Sequence, residues 1–202
     1  MSKKNLIILL SAFITFALGM GYYVSTYVQP AKTSTQTGNA LLGGDFILTS
    51  HKGQNIDTKQ FRGKYIMVYF GYSFCPDICP TALENMSEAM MKLADIGHKI
   101  QPIFVTVDPD RDTVQQLETY IQSFHPRFLA LTGTKKALDK AIKAYRVYAQ
   151  KVDDEGVSDY LVDHSSIVYI MGPDGKYVAH FSHKTPGEEM AFKLREIIKS
   201  GA

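Results

Sequence analysis

The sequence has no tryptophan and only two cysteines, Cys75 and Cys79, among 202 residues. Two cysteines exclude a scaffold stapled by several disulfides. Acidic side chains are missing until Asp45, and no charge of either sign occurs between Asn5 and Ala31. The basic residues before position 43 are Lys3, Lys4 and Lys32, so the formal net charge of +2 becomes −1 from residue 43 onward. The positive balance belongs to the leader, and no basic face for nucleic acid is implied. A hydrophobic fraction of 45% and a charged fraction of 21% exclude a disordered chain, collagen, a coiled coil and a multi-span membrane protein. There is no internal repeat.

The uncharged run has consequences of its own. Leu6–Val24 is nineteen predominantly apolar residues, close to the ~20 that cross a ~30 Å hydrocarbon core as a helix. Tyr22, Tyr23 and Tyr27 follow where amphipathic rings suit the headgroup zone, and Lys3 and Lys4 precede it. Positive charge retained on the cytoplasmic side orients such a segment N-in and C-out. A cleaved signal peptide is the competing reading, but its apolar core is shorter and no convincing small-x-small site follows Leu18. Residues 1–28 therefore read as a cytoplasmic tip and a signal-anchor transmembrane helix. Residues 29–44, rich in Thr, Ser, Gly and Gln, read as a flexible stalk. The remainder, 45–202, is long enough to bury a core without staples.

That remainder alternates strand and helix patterns. Asp45–Thr49 and Gln54–Asp57 form an expected N-terminal hairpin extension. Tyr65–Phe70 (YIMVYF) and Ile100–Val107 (IQPIFVTV) are apolar runs suited to central strands covered on both faces. Helices are expected over 78–96, 113–124, 135–144 and 186–199, with Pro80 in the first turn of its helix. A short strand is expected over 127–131. Strands 166–171 and 177–181 flank Gly172-Pro173-Asp174-Gly175-Lys176, a hairpin signal. A βαβ half followed by a ββα half predicts an α/β, thioredoxin-like fold. Such sheets place reactive groups where a central strand gives way to a helix, here Gly71–Cys79.

That turn reads GYSFCPDICPT. Its two thiols straddle an expected helix start, and on a helix positions i and i+4 share a face, so both sulfurs can reach one soft ion. A helix N-terminus lowers a thiol pKa, and thiolates select Cu(I), Zn and Fe–S. A thiol-disulfide pair, a structural bridge and buried small hydrophobes are the other readings. A redox pair would more often be CxxC, and the flanking Pro and Asp favour a turn over a core. Two sulfurs leave a shell incomplete. Of six histidines, His51, His98, His125, His180 and His183 read as solvated loop residues. His164, in YLVDHSS directly before a sheet strand, is the candidate third ligand, with Asp163 or a backbone carbonyl to set its tautomer.

Asp108-Pro109-Asp110-Arg111-Asp112-Thr113 closes the strand ending at Val107. Helix capping by Asp112 is the plain reading, and a Mg²⁺ or Ca²⁺ site needs more ligands than one acidic turn offers. Met86 and Met90 fall at helical spacing and read as core fillers, not thioether ligands.

GYSFCPDICPT, VDPDRDT and YLVDHSSIVYIMGPDGK, in this order and at these separations, closely resemble the SCO/SenC family over roughly residues 43–200. The resemblance implies a thioredoxin-like fold and a copper site, Cu(I) and also Cu(II), held by Cys75, Cys79 and His164. It implies a membrane-anchored copper metallochaperone that helps assemble the dinuclear copper centre of cytochrome c oxidase subunit II. A second periplasmic copper carrier is an expected partner. The implied location is the inner (cytoplasmic) membrane, single-pass, with the domain on the periplasmic side or its intermembrane-space equivalent. The alternative is a thiol-disulfide reductase in which Cys75 and Cys79 are the catalytic pair. A peroxiredoxin-type peroxidase shares the fold, but Tyr72-Ser73-Phe74 lacks the proline that precedes the peroxidatic cysteine in such enzymes.

Overall fold

The computed structural model describes residues 42–152 and 160–201. Along them run β1 (Ile47–Ser50), β2 (Asn55–Asp57), a 3₁₀ turn at Thr58–Phe61, and β3 (Tyr65–Gly71). Next come α1 (Ile78–Lys92), a 3₁₀ turn at Gly97–Lys99, β4 (Ile100–Thr106), α2 (Val114–Ile121), β5 (Leu129–Thr132) and α3 (Lys135–Ala144). The chain ends with β6 (Ala149–Val152), β7 (Leu161–His164), β8 (Ile167–Met171), β9 (Tyr177–Ser182) and α4 (Gly187–Ser200). The expected anchor and most of the expected stalk lie outside the described residues. Among the described residues no helix is long and apolar enough to cross a membrane. The last residues assigned to the stalk pack on the domain: Leu42 joins an apolar cluster, and the Gly43 N–H donates to the Ala144 carbonyl at 2.9 Å.

Seven strands form one sheet in the order β2-β1-β5-β4-β3-β8-β9. The central β3, β4 and β5 are parallel, and β8, β9, β1 and β2 pair antiparallel with their neighbours. The βαβ half is thus β3-α1-β4, and the ββα half is β8-β9-α4, as the sequence pattern predicts. The β1–β2 hairpin extends the main sheet through β5.

Alternation along β3 assigns the two cores. All seven of its residues are buried, and successive side chains of a strand point to opposite faces. Tyr65, Met67 and Tyr69 meet Leu83, Met86 and Met90 of α1, Leu117 of α2, and Leu194 of α4. Ile66, Val68 and Phe70 meet Leu48, Leu138, Ala141 and Tyr145 on the opposite face. Met86 and Met90 are core fillers, whereas Met91 is exposed.

Three sequence expectations are corrected. Residues 161–164, given no element of their own ahead of the strand over 166–171, form β7, which pairs with β6 in a separate antiparallel ribbon, Ala149 opposite His164 and Val152 opposite Leu161. Helix α2 is capped by Thr113, whose hydroxyl accepts the Gln116 N–H at 3.1 Å, and not by Asp112. His51 is not solvated. It is buried, and its Nδ1 accepts the Ala130 N–H at 3.2 Å.

Burial lowers the pKa of His51, and also that of His125, whose Nδ1 accepts the Arg127 N–H. The folded state therefore holds the imidazoles neutral, while the unfolded chain takes up protons near pH 6.5. Their stabilisation is complete above that pH and is lost as pH falls through the lowered folded values. The melting temperature is expected to fall between pH 7 and pH 5.5. In His51→Asn, where an amide oxygen can take the Ala130 bond, the fall should be smaller by a degree or two, at about 2–4 °C per kcal/mol. Parallel pH profiles by calorimetry would contradict this.

Candidate metal centre

Gly71 ends β3 on the face occupied by Tyr69 and Met67, and there the chain must leave the sheet. A Cβ at Gly71 would lie 2.8 Å from Cys79 Sγ, 2.9 Å from Tyr69 Cε1 and 3.1 Å from Phe104 Cε2. The sulfur of Cys79 occupies the space a larger residue would need. Gly71→Ala is expected to cost about 1–3 kcal/mol by overpacking and to move that sulfur. Chemical denaturation, together with thiol reactivity of the pair, checks this.

The chain then turns through Tyr72–Asp77 into α1. Cys75 precedes the helix and Cys79 lies in its first turn. The expectation that one helical face aligns both sulfurs is thereby corrected. They approach because the turn folds Cys75 back over the helix N-terminus, where its sulfur accepts the Cys79 N–H at 3.5 Å. The sulfur thus takes one of the otherwise orphaned amides of the first turn.

His164 reaches the same point from the end of β7. Its Nε2 lies 3.2 Å from Cys79 Sγ. One ligand atom from each of Cys75, Cys79 and His164 lies within 4.8 Å of the others, a group able to hold a metal ion. Both cysteines are free thiols. His164 Nδ1 is 3.2 Å from the Ser165 carbonyl, which can only accept. The proton therefore belongs on Nδ1, leaving the Nε2 lone pair for the cysteines or a metal. The carbonyl, not Asp163, sets the tautomer. Tyr69 and Tyr72 meet the imidazole edge to face, with centroids 6.0 and 5.8 Å away.

The two thiols are unlike. Cys79 is fully buried, and Cys75 is half-buried. Hydrogen bonding from the Cys79 thiol is the main cause that holds the Cys75 thiol well below its ordinary value, with help from the amides of Asp77 and Cys79. Burial, and then the neighbouring Cys75 thiolate, push Cys79 up. Burial also raises the Tyr69 phenol, which stays protonated and donates to Cys79 Sγ at 3.9 Å. The metal-free pair is therefore one thiolate and one thiol. Metal binding must displace the Cys79 proton, since ligation requires thiolate.

The other sequence candidates lie elsewhere. His98 and His180 are exposed, and His180 Nδ1 pairs with the Tyr177 hydroxyl at 2.5 Å. The three carboxylates of the acidic turn have separate partners. Asp108 bonds Arg111 at 2.6 Å, Asp110 bonds Lys151 at 2.6 Å, and Asp112 accepts from Ser73 and Thr106. They do not converge on a hard ion. Sequence reasoning missed Gly71, Tyr69, Tyr72, Arg111 and Tyr160. A glycine closing a bulky buried strand was the one legible signal among them.

The fold and these side chains define a thioredoxin-like domain carrying a Cys₂His set at the strand-to-helix turn. A family model, SCO1/SenC, matches residues 34–199. This chain belongs to the SCO1/SenC family. It is 35% identical over 200 residues to the mitochondrial SCO1 homolog of Mus musculus, covering 94% of this chain and 70% of that protein. It is 38% identical over 169 residues to the mitochondrial SCO2 homolog of Bos taurus, covering 83% and 64% respectively. The chain spans about half to seven tenths of the length of its curated relatives. Among solved structures, Bradyrhizobium japonicum ScoI with copper bound is similar at 39% identity and TM-score 0.71, covering 77% of this chain and 98% of that one. Yeast Sco1 with copper bound is similar at 38% and 0.72, covering 79% and 90%.

Proposed function

We propose that this chain is a membrane-anchored copper metallochaperone, holding its cargo through Cys75, Cys79 and His164. In this reading it serves assembly of the dinuclear copper centre of cytochrome c oxidase subunit II. The single observation that carries the reading is the convergence of two sulfurs and one imidazole nitrogen within 4.8 Å. Two thiolates suit Cu(I), and the imidazole also suits Cu(II). The copper-bound Sco structures of Bradyrhizobium and yeast support the choice of metal. The uncharged run ahead of the domain supports an inner-membrane anchor, with the domain on the periplasmic side or its intermembrane-space equivalent.

The difference in burial orders the transfer. Cys75 and His164 are partly open to solvent, while Cys79 is fully buried, with the Tyr69 hydroxyl on its sulfur. An incoming carrier displaces His164 or Cys75 first, and Cys79 is the last protein ligand to let go. Loading from another periplasmic copper carrier runs these steps in reverse.

A second reading is favoured by the unequal thiols. The half-buried Cys75 thiolate attacks a partner disulfide, forming a mixed disulfide and releasing one partner thiolate. Cys79 then gives up its proton and attacks Cys75 Sγ. The second partner thiolate leaves, and Cys75–Cys79 becomes the disulfide as the partner gains two electrons. Both roles use the same sulfurs, so a chain engaged in one is unavailable for the other. Titration of the thiol-reduced full chain with Cu(I), against a competing chelator, is expected to show one ion bound per chain. No uptake by the fully reduced chain would overturn the chaperone reading.

A further inference from the structure

The acidic turn supplies no ligand, yet one of its residues touches both segments that do. The ribbon β6–β7, which carries His164, takes no part in the seven-stranded sheet. A two-stranded ribbon alone is marginal in water, so side chains must fix its place against the cysteine turn. Arg111 lies between the two. Its guanidinium carbon is 3.7 Å from the ring centroid of Tyr160 at the entry to β7, 4.9 Å from that of Phe74 and 5.5 Å from that of Tyr72 in the cysteine turn. Its Nη1 donates to the Tyr160 carbonyl at 2.9 Å, and its Nε donates to the fully buried Asp108 at 2.6 Å. The Tyr160 hydroxyl donates to the other oxygen of Asp108 at 2.7 Å. Two residues on, the Val162 N–H donates to the Tyr72 hydroxyl at 3.2 Å. A planar cation that stacks on rings and donates along two directions suits this position, and a lysine ammonium does not.

We propose that Arg111 is the positioning residue that sets the distance between the His164 imidazole and the cysteine pair. The inference rests on the copper reading of the same three ligands. Arg111 acts through Tyr160 and Tyr72 on the backbone of β7 and touches no ligand atom itself. Its loss should affect the arm that brings the nitrogen and spare the sulfurs. Cu(I), bound mainly by thiolates, should be little altered, while Cu(II), which favours imidazole, should be weakened.

The test uses the thiol-reduced full chain in three forms: unaltered, Arg111→Lys, which keeps a charge beside Asp108, and Tyr160→Leu, which keeps the Arg111–Asp108 pair. Cu(I) affinity is read by chelator competition. Cu(II) affinity and nitrogen hyperfine coupling are read by electron paramagnetic resonance. Amide hydrogen exchange of metal-free chains is read at Val162 and His164. Both variants are expected to hold Cu(I) within about threefold and to lose about tenfold or more in Cu(II) affinity, as supporting residues of metal ligands do. Weakened nitrogen coupling and faster exchange in β7, with β3 unchanged, should accompany this. Unaltered Cu(II) affinity and coupling would overturn the proposal. So would equal losses of both ions, which signify general loss of structure. Should Arg111→Lys fail to fold, Tyr160→Leu decides. If the unaltered chain takes up neither ion, the copper reading fails, and the exchange rates in β7 still decide for or against the clamp.

Discussion

Replacing Cys79 with serine is expected to abolish tight copper uptake. Structural zinc shells of four cysteine and histidine ligands supply ~10–16 kcal/mol, roughly 2.5–4 kcal/mol per ligand, and by that measure losing one thiolate costs on the order of a hundred- to a thousandfold in affinity. Cys75→Ser should lose as much, because each sulfur is one of only two thiolates in the set. His164→Ala removes the harder donor, so its loss should be smaller for Cu(I) than for Cu(II). The series also separates the two functional readings. A dedicated reductase predicts that thiol exchange survives His164→Ala and vanishes with either cysteine change. Equal loss of exchange in all three would count against the reductase. Copper retained by Cys79→Ser at the level of the unaltered chain would exclude the proposed ligand set.

Asp112→Ala is expected to remove about 3 kcal/mol of stability. Its buried carboxylate accepts the Ser73 N–H at 3.1 Å, the Ser73 hydroxyl at 2.5 Å and the Thr106 hydroxyl at 2.6 Å. Leaving three donors without an acceptor costs roughly 1 kcal/mol each at the low end. The melting temperature should fall by about 6–12 °C for a domain of this size. Burial raises the Asp112 pKa, so carrying its charge at neutral pH opposes folding. Asp112→Asn discards that charge, keeps one acceptor oxygen, and should lose less than the alanine variant. Because Ser73 lies two residues before Cys75, the alanine variant should also loosen the cysteine turn. Calorimetry of both variants reads the effect, and equal melting temperatures for the unaltered chain and Asp112→Ala would refute it.

Much of this architecture was legible in one dimension. YIMVYF is apolar without interruption, and IQPIFVTV is broken only by Gln101 and Thr106, because β3 and β4 are covered by helices on both faces. The helix over 135–144 matches its expected span, since Thr134 caps it and Leu138 and Ala141 share one buried side. The two halves and the position of the cysteine turn follow from strand and helix order. The ribbon β6–β7 was not legible. AQKV and LVDH are short, and three of the four residues in AQKV are exposed, so no buried alternation marks it as a strand. His51 was also misjudged, because a histidine in a turn gives no sign that a backbone amide 79 positions away will donate to it.

The residue types and their order supplied the candidate donors, two thiols at a strand-to-helix turn and one imidazole ahead of a late strand, and also the apolar run ahead of the domain. These are matters of composition and local spacing, on which short-range physics acts directly. Only the tertiary structure decided that Cys75 is half open and Cys79 enclosed, that a carbonyl orients His164, and that Arg111 joins its strand to the cysteine turn. Burial, tautomer and pKa depend on groups that approach through space from segments about 90 residues apart. Local pattern carries no information on that approach, because it is set by how the sheet, the helices and the ribbon pack together.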